Sequence, residues 1–138
     1  RRRPFALIVP RKMRFKWILS VVCLVLLDQG IKELLVNSEF RVINSGAALG
    51  LGGAWPQFWQ WLMMVLLLGL LLKFKFNWQT GLITAGGLAN LIDRVRWGGV
   101  VDYLALSLLP RFNLADCLIL AGLIGLMYSF VNGSKNNL

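Results

Sequence analysis

Two aspartates, Asp102 and Asp116, are the best general acid–base pair the sequence offers. The chain has no histidine. That removes Ser-His-Asp and Cys-His nucleophile systems, His-ligated metals and the HExxH zinc motif. Two cysteines are too few for a disulfide framework or a four-thiolate metal site. With histidine absent, paired carboxyls are the best candidates for proton transfer. Asp102 follows GGVV, and Asp116 sits in the first turn of the last apolar stretch, a short loop away. Two carboxyls brought together in a partly dry site cannot both ionise easily, so one keeps a proton. One then activates water while the other protonates a carbonyl or leaving group. Either residue alone would equally suit a helix N-terminus, where the dipole favours an acid.

Other polar residues gather at the same depth. Asp28 and Lys32 are four apart, acid first, the favourable order for a pair along a helix. Gly86, Asn90, Asp93 and Arg94 share one broad helical face, and Asn113 and Asp116 project from one side. An ionisable group central in a membrane span costs roughly 2.5–3.5 kcal/mol on insertion scales. Asp28–Lys32 and Asp93–Arg94 could serve as structural ion pairs, holding helix ends together without doing chemistry. Gly81, Ala85 and Ala89 form a small-residue seam that suits plain helix packing.

The elements that must position these groups follow from composition. Of 138 residues, 57% are hydrophobic and 15% charged, with net charge +9. Mean hydropathy is +0.66. So small a soluble domain could not cover itself with so few polar groups. The chain reads as an all-α integral membrane protein with four transmembrane helices, near Trp17–Val36, Trp55–Leu72, Phe76–Ile92 and Asn113–Val131. All four prolines fall outside the span interiors. Cys23 and Cys117 read as unbonded packing residues.

Charge sets the orientation. With the N-terminus in the cytoplasm, the inner segments hold Arg1, Arg2, Arg3, Arg11, Lys12, Arg14, Lys16, Lys73, Lys75 and Lys135, and no acid. All six acids then lie at the outer ends and loops. Both termini are expected to be cytoplasmic, and the positive charge needs no nucleic acid to explain it. The first residue is Arg, so residues 1–12 are read as a leader or remnant and 13–138 as one membrane domain, with Met13 a natural start.

These segments resemble the lipoprotein signal peptidases, the type II signal peptidases of bacteria. DQGIK (Asp28–Lys32) is similar to that family's DQxxK block, and NSGAALG (Asn44–Gly50) to NxGAAF. GGLANLIDR (Gly86–Arg94) and GGVVDY (Gly98–Tyr103) resemble GNxxDR and VxDF, and FNLADC (Phe112–Cys117) resembles FNxAD. Five blocks in order make a specific match over about residues 13–131. The resemblance implies that Asp102 and Asp116 are catalytic. It implies that Asp28, Lys32, Asn44, Gly46, Asn90, Asp93, Arg94, Asn113 and Ala115 bind substrate or support the site. It implies an aspartyl endopeptidase of the bacterial inner membrane, without metal or cofactor, working as a four-span peptidase domain. Its partners would be lipidated prolipoproteins, cut just before a diacylglyceryl-modified cysteine, and membrane lipids; the protein is expected to be a monomer. The outer loop Ser38–Gly53 would form a small β-rich extracytoplasmic cradle.

Leu49, Ile31 and Ala89 depart from the family's usual Phe, Thr and Gly, and the stretch between Asp102 and Asn113 is shorter than in many members. A proton-coupled transporter would instead spread polar groups through the membrane depth. Here the inner halves of the spans carry Ser20, Gln79, Thr80, Thr84 and Ser129 but no charged relay. A scaffold role for the blocks is the remaining alternative, and a lipidated substrate would separate all three.

Overall fold

A computed structural model describes residues 11–35, 37–39, 41–45, 56–73 and 77–135. Gly46 and Lys75 lie outside the described residues, as does most of the expected cradle loop. Helix α1 spans Arg11–Leu34, α2 Pro56–Lys73, α3 Trp78–Trp97 and α4 Leu114–Lys135. Strands β1 (Val42–Asn44), β2 (Val100–Asp102), β3 (Leu104–Leu106) and β4 (Leu109–Phe112) form two antiparallel pairs, β1 with β2 and β3 with β4.

Helix α3 is the hub and packs against the other three helices. Its start is fixed by Asn77, whose side chain accepts from the Thr80 amide at 2.9 Å while the Thr80 hydroxyl accepts from the Asn77 amide at 3.2 Å. This reciprocal box satisfies two amides that no helical turn can reach. The helix ends at Gly98, which takes the left-handed conformation (φ 74°) and returns its N–H to the Arg94 carbonyl. Because that cap comes late, α3 runs to Trp97 rather than Ile92. Asp93, Arg94 and Arg96 are therefore helical. Small residues let α4 approach closely: a Cβ on Gly86 would collide with the Ala115 carbonyl, and one on Gly122 would lie 2.6 Å from the Gln79 carbonyl. Ala85 and Ala89 are fully buried.

The distribution of polarity is inverted relative to a soluble protein. The largest fully buried side chains are Asn113, Asp28 and Asp93, whereas Phe15, Leu26, Val65, Leu68, Leu120, Met127 and Phe130 are exposed. Among the described residues, Leu114–Asn132 is long and apolar enough to cross a membrane, with mean hydropathy 2.0; Phe58–Leu71 is a shorter apolar stretch of α2. Helices α1 and α3 carry the buried charges instead, which lowers their mean hydropathy. The cysteine expectation needs correction. Cys23 and Cys117 are both free and exposed rather than packed inside, and Cys117 borders the cavity described below.

Candidate active site

Asp102 closes β2, where all three residues are buried, and it pairs across the sheet with Val42. Asp116 occupies the first turn of α4. The two are joined through Asn113, which is completely buried. The Asn113 amide nitrogen Nδ2 donates to Asp102 Oδ1 at 2.8 Å, with the Val101 carbonyl and Asn90 Oδ1 at 3.3 and 3.2 Å. Its Oδ1 accepts from the Asp116 backbone N–H at 2.9 Å, and its own backbone N–H donates to Asp116 Oδ2 at 3.2 Å. One asparagine thus caps α4 and touches both carboxyls. Asn90, from α3, donates to Asp116 Oδ1 at 2.8 Å; Asn44, from β1, donates to Asp102 Oδ2 at 3.3 Å.

Beneath these groups lies a charged clamp. The Lys32 ammonium sits 2.7 Å from Asp28 Oδ2 and 2.6 Å from Asp93 Oδ2, and 3.4 Å from Asn90 Oδ1. Each clamped acid holds one of the segments that carry the dyad. Asp28 Oδ1 accepts from the Ala115 N–H at 3.0 Å, fixing the first turn of α4; Asp93 Oδ2 accepts from the Val101 N–H at 3.0 Å, fixing β2. A single cation therefore sets where Asp102 and Asp116 stand relative to each other. Lys32 is 4% exposed and both its acids 0%, so this pairing is shielded from water.

Above the clamp opens a cavity of about 690 Å³. Its polar end is formed by Asn44, Asn90, Arg94, Asp102 and Asp116, and its apolar walls by Leu62, Met63 and Leu66 of α2 and Ile119, Leu120 and Leu123 of α4. Burial, and then the neighbouring charge of Asp116, push the Asp102 carboxyl up to about 6, against the opposing bonds from Asn44 and Asn113 and the charge of Lys32. Two carboxyls sharing a buried asparagine, one of them prone to hold a proton, suit general acid–base hydrolysis.

The structure brings Asp28, Lys32, Asn44, Asn90, Asp93, Arg94, Asp102, Asn113, Ala115 and Asp116 into one region; Gly46 lies outside the described residues. Sequence reasoning missed Gln29, whose Nε2 donates to Asp93 Oδ1 at 2.8 Å and to the Ala89 carbonyl at 3.2 Å. Its place beside Asp28 at the polar end of an apolar helix was the available signal. It also missed Tyr103, whose hydroxyl accepts from the Leu114 N–H at 3.1 Å. With that bond, every amide of the first turn of α4 has an acceptor: Tyr103, Asp28, Asn113 and, for Cys117, the Asn113 carbonyl.

A family model described as signal peptidase (SPase) II matches residues 20–132. The lipoprotein signal peptidase of Microcystis aeruginosa (strain NIES-843 / IAM M-2473) is 34% identical, over 86% of this chain and 93% of that protein. The lipoprotein signal peptidase of Xylella fastidiosa (strain 9a5c) is 32% identical, over 88% and 91% respectively. A solved structure titled "Bacterial membrane enzyme structure by the in meso method at 2.3 A resolution" superposes with a TM-score of 0.77, covering 89% of this chain and 92% of that one at 26% identity. Matched along most of its length by the family model and by both relatives, the chain belongs to the signal peptidase II family of peptidases.

Proposed function

We propose that the protein is a membrane aspartyl endopeptidase that removes the signal peptide from lipidated prolipoproteins, cleaving before the diacylglyceryl-modified cysteine. The observation that carries this reading is the Asp102–Asn113–Asp116 unit at the polar end of a largely apolar cavity. Asp116, half-buried, is placed to take a proton from water as that water attacks the scissile carbonyl. Asp102 gives its proton to the carbonyl oxygen, forming a neutral tetrahedral diol. Asp116 then passes its proton to the departing amine nitrogen, Asp102 recovers one from a diol hydroxyl, and the carbon–nitrogen bond breaks. The dyad ends as it began, and no cofactor enters the scheme. A bound lipidated peptide would displace water and raise the proton affinity of Asp102 further.

The same reading makes the chain a four-span protein of the bacterial inner membrane, with both termini cytoplasmic and the dyad at the outer surface. It is supported by the exposed apolar faces of the helices and by the basic inner segments. The strand pairs β1–β2 and β3–β4 then form an extracytoplasmic cradle, and a monomer carries the complete site. The test is direct. Purified protein in phospholipid is incubated with a diacylglyceryl-modified prolipoprotein and with the same precursor lacking the lipid, and products are weighed by mass spectrometry. Cleavage immediately before the lipidated cysteine, with the unlipidated precursor left intact, is expected. Cleavage of neither, or of both equally, contradicts the reading.

A further inference from the structure

Between Asp102 and Asn113 the chain makes a hairpin, β3–β4, whose composition is unsuited to water. The Tyr103 N–H donates to the Phe112 carbonyl at 3.2 Å and closes its base. Across the strands Leu104 faces Phe112 and Leu106 faces Leu109. The turn is Ser107–Leu108, and Leu108 is 96% exposed; Leu106 and Leu109 are each 58% exposed. Two-residue hairpin turns favour Asn, Asp and Gly, so a bare leucine there calls for a reason. A two-stranded hairpin is marginal in water on its own and needs something to cover it. Contiguous exposed apolar surface of this kind marks a contact surface.

The surroundings indicate what covers it. Leu109 and Pro110 of β4 border the same cavity as Leu120 and Leu123 of α4, and these two α4 residues are themselves 60% and 46% exposed. The hairpin's apolar surface is therefore continuous with the exposed apolar surface of α4, a helix long and apolar enough to cross a membrane. Arg111 is exposed two residues before Asn113, at the level where α4 begins. A guanidinium at that level suits headgroup phosphates, with leucines reaching past it toward acyl chains.

We propose that the β3–β4 hairpin is an interfacial anchor whose leucine tip is seated in the outer leaflet of the bilayer, with Arg111 at the phosphate level. This inference rests on the membrane reading above. It assigns the short connection between the two aspartates a lipid partner. The hairpin joins Asp102 through Tyr103 on one side and Asn113 and Asp116 on the other, so its seat holds the rim of the cavity at lipid level.

The experiment uses protein with Cys23→Ala and Cys117→Ala, reconstituted in nanodiscs of phosphatidylcholine and phosphatidylglycerol. An environment-sensitive fluorophore is attached at Leu108→Cys and, separately, at Leu106→Cys. Labels at Ile124→Cys, exposed on α4 away from the cavity lining, and at Glu39→Cys serve as references for lipid and water. Doxyl-labelled lipid and aqueous iodide are the quenchers. The expected result is blue-shifted emission at 108 and 106, quenched by doxyl lipid and protected from iodide, as at 124. Labels at 108 and 106 open to iodide, with 124 quenched by lipid, overturn the anchor and leave the membrane reading standing. Labels open to iodide at 124 as well overturn both. Labels at 108 and 106 shielded from both quenchers indicate a protein cover and also overturn the anchor.

Discussion

Replacing Asp102 by Asn should abolish cleavage and yet make the protein more stable at neutral pH. Asp102 is 3% exposed, and its surroundings move its carboxyl from an ordinary value of 3.8 to about 6. A carboxyl whose affinity for a proton is higher in the folded state opposes folding once it ionises. The penalty is absent below about pH 4, grows as pH rises from about 4 to 6, and is complete above that. Each factor of ten in proton affinity is worth about 1.4 kcal/mol, so the full penalty is roughly 3 kcal/mol. An asparagine carries no charge and keeps an oxygen to accept from Asn113, but its NH2 cannot accept from Asn44. Losing that bond takes back about 1 kcal/mol. The net gain at pH 7.5 is then about 2 kcal/mol, and at pH 4 the variant should be equal to the parent or slightly weaker. Unfolding in mixed micelles by rising dodecyl sulfate, run at both pH values, measures this difference. A variant less stable than the parent at pH 7.5, or a difference independent of pH, would refute the reasoning.

Three further outcomes follow from the same geometry. Lys32→Ala leaves Asp28 and Asp93 buried without their shared cation, so stability should fall by about 3–5 kcal/mol, with low yield; unfolding midpoints like the parent's would dismiss the clamp. Chelators should leave cleavage intact, because the cation between Asp28 and Asp93 is a lysine and no histidine is present; activity lost to a chelator and restored by a divalent ion would sink the two-carboxyl mechanism. Cys117 borders the cavity next to Asp116, so a bulky maleimide on it, in a Cys23→Ala background, should block cleavage, whereas labelling Cys23 in a Cys117→Ala background should not. Equal activity of the two labelled proteins would show that this wall of the cavity is not used.

Much of this was legible in the sequence because it is local. Helices α2 and α4 follow from unbroken apolar runs, and the placing of Asn113 and Asp116 on one side at the start of α4 from their spacing. The blocks that carry the family resemblance contain most of the residues now seen around the dyad. What sequence could not show is contact through space. Asp93 stands next to Arg94 in the chain, yet its ion pair with Lys32 reaches across to α1. The Asp28 bond to the Ala115 N–H links residues 87 apart, and no periodicity reports it. Gln29 was passed over because an uncharged amide beside a charged pair carries little signal of its own. The exposure of Cys23 and Cys117 was misjudged because an apolar helix shows little sequence contrast between its covered and uncovered faces. The hairpin at 104–112 escaped for a similar reason: leucines in a loop break the alternation that marks a half-buried strand.

The central claim is that Asp102 and Asp116 act as one unit. Single-turnover cleavage of a diacylglyceryl-modified prolipoprotein should therefore be compared for Asp102→Asn, Asp116→Asn and the double variant, each verified as folded by its unfolding midpoint. Loss of nearly all cleavage in every one of the three, with the double variant no worse than either single, is the predicted result. Cleavage near the parental rate by either single variant would contradict the dyad.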